Sequence, residues 1–282
     1  MTTGGRIPRA IGTITRGTTN TNRLRRVDRW IAAQPALRRA ADPLVVDLGY
    51  GASGVTVFEL ERRLRRVRDD VRVLGLEIDP ARVATASAQL QRVRAGATPF
   101  ARDARVSFER GGFEVPTIEG RPVAIVRAFN VLRQYDEREV ADAWRLLRSR
   151  LQPGGMLVEG TCDELGRVAS WVALSPEAPV SFTLSLRLAA LERPSIVAER
   201  LPKVLIHRNV PGERVHDFIS ALDAAWTHAA PLSTYGQVQR WLATVERMRE
   251  TGWPVLGGRT RWRLGELSVP WSAVAPVSGK DA

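Results

Sequence analysis

The chain has 282 residues, enough to bury the core of one α/β domain with extensions or of two small domains. No stretch approaches ~18 uninterrupted apolar residues and the first residues lack an apolar signal core, so we expect neither a membrane span nor a secretory signal. The single cysteine, Cys162, excludes an internal disulfide and a cysteine-cluster metal site. The sequence therefore predicts a cytoplasmic protein without a bound metal.

The net charge of +12 is concentrated near the N-terminus. Residues 1 to 40 carry +8 of it, because their one acid, Asp28, is outnumbered by nine arginines, at positions 6, 9, 16, 23, 25, 26, 29, 38 and 39. Two interpretations stay open for this basic segment. It is either the solvated surface of an arginine-biased protein or an arm that binds nucleic acid.

The first predicted helix lies in "NRLRRVDRWI", where Leu24, Val27 and Trp30 share one face. Around it, the threonines, asparagines and arginines of residues 16 to 30 offer many hydrogen bonds and bidentate contacts. Such a segment suits a lid over a ligand site, with Arg23 facing an anionic group, or alternatively a nucleic-acid-binding tail.

A strand, a glycine turn and a helix follow in "PLVVDLGYGASG" and the residues after it. The spacing of Gly49, Gly51 and Gly54 satisfies the dinucleotide-binding fingerprint. Asp47 opposes that interpretation, because a carboxylate at the end of the strand would repel a pyrophosphate. The stretch favours a cationic ligand without phosphate, such as S-adenosylmethionine, over NAD.

Strands and helices then alternate up to about residue 160. Further strands are predicted in "VRVLGLEID", "RVSFE", "PVAIVRAF" and "GMLVEG", with helices that begin at Asp79 and near Asp136. We expect the second of these helices to stop at Pro153-Gly154-Gly155. Asp47, Glu77 and Asn130 fall at the carboxyl ends of strands one, two and four, where a doubly wound sheet binds its ligands.

The pattern changes beyond residue 166. An antiparallel strand is predicted in "VSFTLSLRL", then two amphipathic helices and a last strand in "RWRLGELSV". The predicted fold is α/β, a doubly wound and mostly parallel sheet with an N-terminal basic arm and a C-terminal helical and antiparallel extension. We divide the chain into an arm and cap helix (1–40), a ligand-binding core (41–165) and an extension on the acceptor side (166–282).

Residues 40 to 160 resemble the class I S-adenosylmethionine-dependent methyltransferases, which have a Rossmann-like fold. Five segments carry the resemblance, in order: "VVDLGYGASG", "LGLEIDPARV", "VSFERGGFEVP", "IVRAFNVLRQYDE" and "LRSRLQPGGMLVEG". The resemblance implies an enzyme, a transferase that moves a methyl group from S-adenosylmethionine to an acceptor. We expect a small or medium-sized acceptor rather than a macromolecule.

The resemblance also implies roles for individual residues. Asp47 would bind the cofactor's ammonium, Glu77 its two ribose hydroxyls, and Ile78 would pack on the adenine. Gly112 and Phe113 stand where the family often has an acid near the adenine amino group, which leaves that contact to backbone groups and Phe113. The complete set expected to bind the cofactor is Arg23, Asp47, Gly49, Tyr50, Gly51, Glu77, Ile78, Gly112, Phe113 and Asn130.

The acceptor side is less determined. Asn130 would contact the cofactor's amine or the acceptor, or it caps the turn after strand four. "FNVL" departs from the Asn-Pro-Pro-aromatic motif of enzymes that methylate exocyclic base nitrogens. Among the histidines, His207 is the one candidate for a general base, beside Arg208 and Asn209, although a structural role is the alternative. Three other functions stay open: an RNA-modifying methyltransferase, a non-catalytic nucleic-acid-binding protein and an NAD-dependent oxidoreductase.

Overall fold

The computed structural model describes residues 10–117 and 120–277. The strands are β1 (Leu44–Leu48), β2 (Arg72–Glu77), β3 (Val106–Arg110), β4 (Val123–Phe129), β5 (Leu151–Cys162), β6 (Val168–Leu174), β7 (Pro179–Leu186) and β8 (Glu266–Pro270). The helices are α1 (Arg25–Ala33), α2 (Pro35–Arg38), α3 (Val55–Leu64), α4 (Pro80–Arg94), α5 (Glu137–Arg148), α6 (Lys203–Ile206), α7 (Arg214–His228), α8 (Gln237–Glu250) and α9 (Arg259–Trp262). No helix of these segments is long and apolar enough to cross a membrane.

All eight strands form one sheet in the order β3-β2-β1-β4-β5-β6-β7-β8. Strands β1 to β5 pair in parallel, whereas β6, β7 and β8 each pair antiparallel to their neighbours. The predicted α/β fold is confirmed, as a mixed sheet whose antiparallel part lies in the C-terminal extension. The strand order reverses between β1 and β4, which makes the carboxyl edge beside β1 the expected place for a ligand.

Helices cover both faces of the sheet and bury a separate apolar cluster on each. Helices α1 to α4 contribute to one cluster, and α5, α7 and α8 contribute to the other. Successive β1 residues alternate between the two, with Val45 in the first cluster and Val46 in the second. Both faces of the sheet are therefore covered by helices, and solvent reaches the strands mainly at the edges of the sheet.

Three details differ from the sequence predictions. Helix α5 ends at Arg148, and Pro153-Gly154-Gly155 lies inside β5, where the pairing with β4 shifts from Val123–Leu151 to Ile125–Met156. Gly154 has φ +73°, so glycine permits this bulge. Strand β6 was not predicted, because nearly all of its residues are buried and no polar alternation marks it. The N-cap at Asp79 and the capping box of Asp136 with Glu139 are confirmed.

Candidate ligand site at the carboxyl edge of the sheet

The backbone amides of the three glycines in the loop after β1 donate hydrogen bonds to residues of β2 and α4. The N–H of Gly49 donates to Leu76 O (2.8 Å) and that of Gly51 to Glu77 Oε2 (3.1 Å). The N–H of Gly54 donates to Gln89 Oε1 (2.9 Å). Gly49 and Gly51 have φ of +68° and +87°, the left-handed region that glycine adopts without strain. Because these amides are already bonded, the loop is not an anion-binding nest of the kind that holds a pyrophosphate.

Glu77 ends β2 and its side chain is buried against the loop. Its Oε1 accepts from the N–H of Ile78 at 2.9 Å, and Oε2 accepts from that of Gly51. Arg82 Nη1 lies 3.5 Å from Oε2. The carboxylate is therefore held at a fixed position beside β1, where it disfavours a phosphate and suits a hydroxyl or cationic ligand.

Asp47 has a partner that the sequence analysis did not anticipate. Asp47 on β1 is in register with Arg127 on β4, and Arg127 Nε lies 2.9 Å from Oδ1 and Nη2 2.5 Å from Oδ2. Thr56 Oγ1 also donates to Oδ2, at 3.3 Å. A buried bidentate arginine thus already neutralises the carboxylate of Asp47. Its contact with a cofactor ammonium stays a prediction that now lacks its electrostatic basis.

Arg127 is fully buried and connects β1 to helix α1. Its Nη1 also donates to Asp28 Oδ1, and Asp28 Oδ2 accepts from Arg63 Nη1 at 2.6 Å. Burial alone would lower the pKa of Arg127, but Asp47 and Asp28 outweigh it and hold that pKa above its ordinary value. The signal in the sequence was an arginine inside the otherwise apolar strand "VAIVRAF".

Asn130 begins the turn after β4, and its side chain bonds to the end of β5 instead of capping its own turn. It has φ +60°, and its Oδ1 accepts from the N–H of Cys162 at 3.0 Å. Its Nδ2 lies 3.4 Å from Cys162 Sγ. Both ends of the amide thus bind β5, although the residue still lines the groove beside Asp47. Contact with the cofactor or acceptor remains a prediction.

Tyr50 contributes a buried ring rather than a reactive phenol. The ring lies edge-on to Phe108, with centroids 5.2 Å apart. Burial, followed by the nearby carboxylate of Glu77, raises the pKa of Tyr50. The phenol therefore stays neutral near pH 7 and cannot act as a general base there.

Residues 10 to 24, which we call the arm, lie along this carboxyl edge. Arm carbonyls accept hydrogen bonds from the sheet edge: Ile11 O from the N–H of Phe113 (2.9 Å), Thr15 O from Arg82 Nη2 (2.7 Å) and Gly17 O from the N–H of Ala52 (2.9 Å). Thr19 Oγ1 donates to Tyr50 O at 2.8 Å. The arm therefore touches the loops after β1, β2 and β3.

The predicted adenine residues come together beneath the arm. A Cβ added to Gly12 would meet Ile78 Cδ1 at 2.9 Å and Phe113 Cε2 at 3.6 Å. One added to Gly112 would lie 2.0 Å from Ile11 O. Ile78, Gly112 and Phe113 thus form one surface, as the resemblance implies, and the arm backbone covers it without a gap.

The arm leaves little free space in this groove. The cavity lined by Thr15, Gly17, Asp47, Tyr50 and Asn130 has a volume of about 40 Å³. A site for a ligand of nucleoside size needs roughly 300 Å³ or more. The side chains of the edge suit a phosphate-free nucleoside ligand, but such a ligand fits only after the arm has moved.

Arg23 lines the groove, and its guanidinium bonds to backbone carbonyls. Its Nη1 donates to Thr18 O at 2.6 Å and its Nε to Asp163 O at 3.0 Å, so the buried guanidinium fastens the arm to the end of β5. His207 lies elsewhere, exposed at the end of α6 and not among the residues that line the groove. Its neighbour Arg208 lies near Glu137 at the start of α5, with Nε 3.6 Å from Oε1.

Comparison with known proteins yields structural likeness only. No family model and no curated protein matches the sequence. An O-methyltransferase family 2 protein from Planctomyces limnophilus matches 49% of this chain, at 18% identity and TM-score 0.36, and the match spans only 39% of that protein. The CcbJ methyltransferase from Streptomyces caelestis matches 59% of this chain and 71% of its own, at 19% identity and TM-score 0.38.

A third similar structure is magnesium protoporphyrin IX methyltransferase from Synechocystis with bound S-adenosylmethionine. It matches 48% of this chain and 57% of its own, at 17% identity and TM-score 0.35. Likeness at this level carries no assignment of function. The function has to be argued from the groove.

Proposed function

We propose that the protein is a methyltransferase that uses S-adenosylmethionine and acts on a small or medium-sized acceptor. The observation that carries the proposal is the loop after β1, whose amides bond to Glu77, Gln89 and backbone carbonyls instead of facing the groove. A dinucleotide needs those amides for its pyrophosphate. S-adenosylmethionine has no phosphate and does not need those amides, so the edge of the sheet suits it better than it suits NAD.

Particular residues would hold the donor once the arm moves aside. Glu77 would accept hydrogen bonds from the ribose diol, and Ile78 with Phe113 would pack on the adenine. S-adenosylmethionine would supply the methyl group from its sulfonium: the acceptor nucleophile would bond to the methyl carbon in line with the carbon–sulfur bond that breaks, and S-adenosylhomocysteine would leave. The protein's own contribution is therefore to align the acceptor and exclude water from the edge.

The proposal assigns the arm a competing role. Its backbone lies over Ile78 and Phe113, where the nucleoside would lie, so arm and donor exclude one another in this conformation. Residues 16 to 30 were expected to form either a lid above a bound ligand or a nucleic-acid-binding tail. The position of the arm instead favours a segment that moves out of the groove before the donor binds and returns to the groove when the donor is absent.

Calorimetry with S-adenosylhomocysteine and with NADH tests the proposed donor. We expect the full-length protein to bind the first and not the second, and Glu77→Gln to weaken binding about tenfold or more, as expected for a lost charge-assisted hydrogen bond. Asp69→Asn, at an exposed position before β2, is the matched control. NADH binding, or unchanged affinity in a folded Glu77→Gln variant, would contradict the proposal.

A further inference from the structure

A second, larger cavity lies at the same edge of the sheet, beyond β5. It has a volume of about 830 Å³ and lies between the turn that joins β5 to β6, the residues after β7 and the 3-10 helix Pro194–Arg200. We call it the arginine cleft, because Arg167, Arg187, Arg193 and Arg200 line it. Its size is that of a site for a small organic molecule.

The four guanidinium groups of the cleft have no protein carboxylate as a partner. Within residues 10–117 and 120–277, no ion pair or side-chain hydrogen bond is formed by any of them. Three acids also line the cleft: Asp163, Glu192 and Glu199. The carboxylate of Asp163 accepts from the backbone N–H groups of Leu165 and Arg167. The arginines of the lining thus outnumber its acids by four to three, and none of the four is paired with one of those acids.

Arg200 is held in a fixed position on the wall of the cleft. Its carbonyl accepts hydrogen bonds from Thr161 Oγ1 at 2.6 Å and from the hydroxyl of Ser170, so β5 and β6 both fix its backbone. Its Nε is buried and has no hydrogen-bond partner. A buried donor without a partner costs free energy unless a ligand or water satisfies it.

Arg133 adds a fifth positive charge next to Arg200. It belongs to the 3-10 helix Leu132–Gln134, and its Nη1 donates to Leu201 O at 3.4 Å. Burial, followed by the charge of Arg200, lowers the pKa of Arg133. An anion bound between the two side chains would relieve this repulsion.

The arginine cleft adjoins the donor groove. Arg23 lines the groove and donates from Nε to the carbonyl of Asp163, which lines the cleft, at 3.0 Å. Arg133 follows Asn130, another residue of the groove, by three positions. The two cavities are therefore neighbours separated by the contact of Arg23 with Asp163. That contact would have to open for methyl transfer, because the acceptor nucleophile must meet the methyl carbon directly.

We infer that the arginine cleft binds an acceptor that carries a carboxylate or phosphate group. Arginine forks match the two oxygens of either group, and four of them around a cavity select an anionic molecule over its neutral analogue. The acceptor role rests on the proposed methyltransferase function, whereas the anion site does not. The inference thus adds a substrate class to the proposed function.

Titration calorimetry with the full-length protein tests the site using three probes: 4-hydroxybenzoate, phenyl phosphate and the neutral 4-hydroxybenzamide. We expect at least one of the two anions to bind about tenfold or more tightly than the amide. The ratio of the affinities of the two anions shows whether the site prefers a carboxylate or a phosphate. Arg200→Gln and Arg187→Gln should each weaken anion binding about tenfold. Arg94→Gln, exposed at the end of α4, should leave it unchanged.

Equal binding of anion and amide, or anion affinity that both cleft variants leave intact, would overturn the inference. So would capture of an RNA oligomer, in place of the small anions, through these same arginines. Binding of S-adenosylhomocysteine is measured in parallel. If that ligand fails to bind while the anions do, the proposed function falls and the anion site remains; the converse result removes only the anion site.

Discussion

At the scale of single residues, Glu159 is a buried acid that the proposed chemistry does not use. It lies on β5, fully buried, and neither carboxylate oxygen has a hydrogen-bond partner. Burial raises the pKa of Glu159 from 4.5 to about 8, although the nearby indole of Trp144 opposes the shift. Between about pH 4.5 and pH 8, the carboxyl of Glu159 therefore stays protonated in the folded protein, whereas it is ionised in the unfolded chain.

The sign of the pH dependence follows from this raised pKa. The stabilisation from the neutral acid is complete below about pH 4.5 and is lost as the pH rises towards about 8. Glu159→Gln keeps a neutral side chain at every pH, so we expect it to be more stable than the parent at pH 9, by about 4 to 5 kcal/mol, and nearly equal at pH 5.

Urea unfolding of parent and variant at pH 5 and pH 9 measures the effect. Glu164→Gln, at an exposed position in the next turn, is the control and should follow the parent at both values. A Glu159→Gln variant that also follows the parent between pH 5 and pH 9 would show that this carboxyl is ionised without cost in the folded state.

At the scale of elements, local signals explain what the sequence predicted. The caps at Asp79 and Asp136 and the β/α order up to β5 depend on residues within a few positions of each other, so they are visible in one stretch of sequence. Strand β6 was missed, because its burial on both faces leaves no periodic pattern.

Long-range pairing explains what the sequence did not predict at the site. Asp47 and Arg127 are 80 positions apart, and only the register of β1 with β4 brings them together. The sequence identified which residues meet at the carboxyl edge, since strand ends fix that. It could not predict that Arg127 forms an ion pair with Asp47, or that the arm lies over Ile78, Gly112 and Phe113.

The arm is the element whose removal is most informative. Deletion of residues 1 to 17 removes the segment over Ile78 and Phe113 but keeps Thr18, whose carbonyl holds Arg23. Because arm and donor exclude one another, we expect the truncated protein to bind S-adenosylhomocysteine about tenfold more tightly. Calorimetry on both forms, with their melting temperatures as a control for folding, measures this. Weaker binding would instead mean that the arm closes over the ligand as a lid.

At the scale of the whole molecule, the net charge of +12 allows non-specific binding of nucleic acid. Two arginines of the basic segment, residues 1 to 40, are not available for such binding. Arg23 is buried on backbone carbonyls, and Arg26 donates to Leu264 O at 2.8 Å and to Ser185 Oγ at 3.2 Å. These two arginines are therefore engaged within the protein and are not displayed on a tail.

The salt dependence of RNA binding separates a basic surface from a dedicated nucleic-acid arm. For single strands, each phosphate contact adds about 0.7 to the slope of log affinity against log salt concentration. Deletion of residues 1 to 17 removes Arg6, Arg9 and Arg16, so contacts from all three would account for about two units of slope. Because the rest of the chain carries most of the net charge, we expect the slope to change by less than about one unit. Filter binding of a generic RNA between about 50 and 200 mM salt measures it. A loss of two units, with S-adenosylhomocysteine binding unchanged, would favour an RNA-modifying enzyme over one that methylates small molecules.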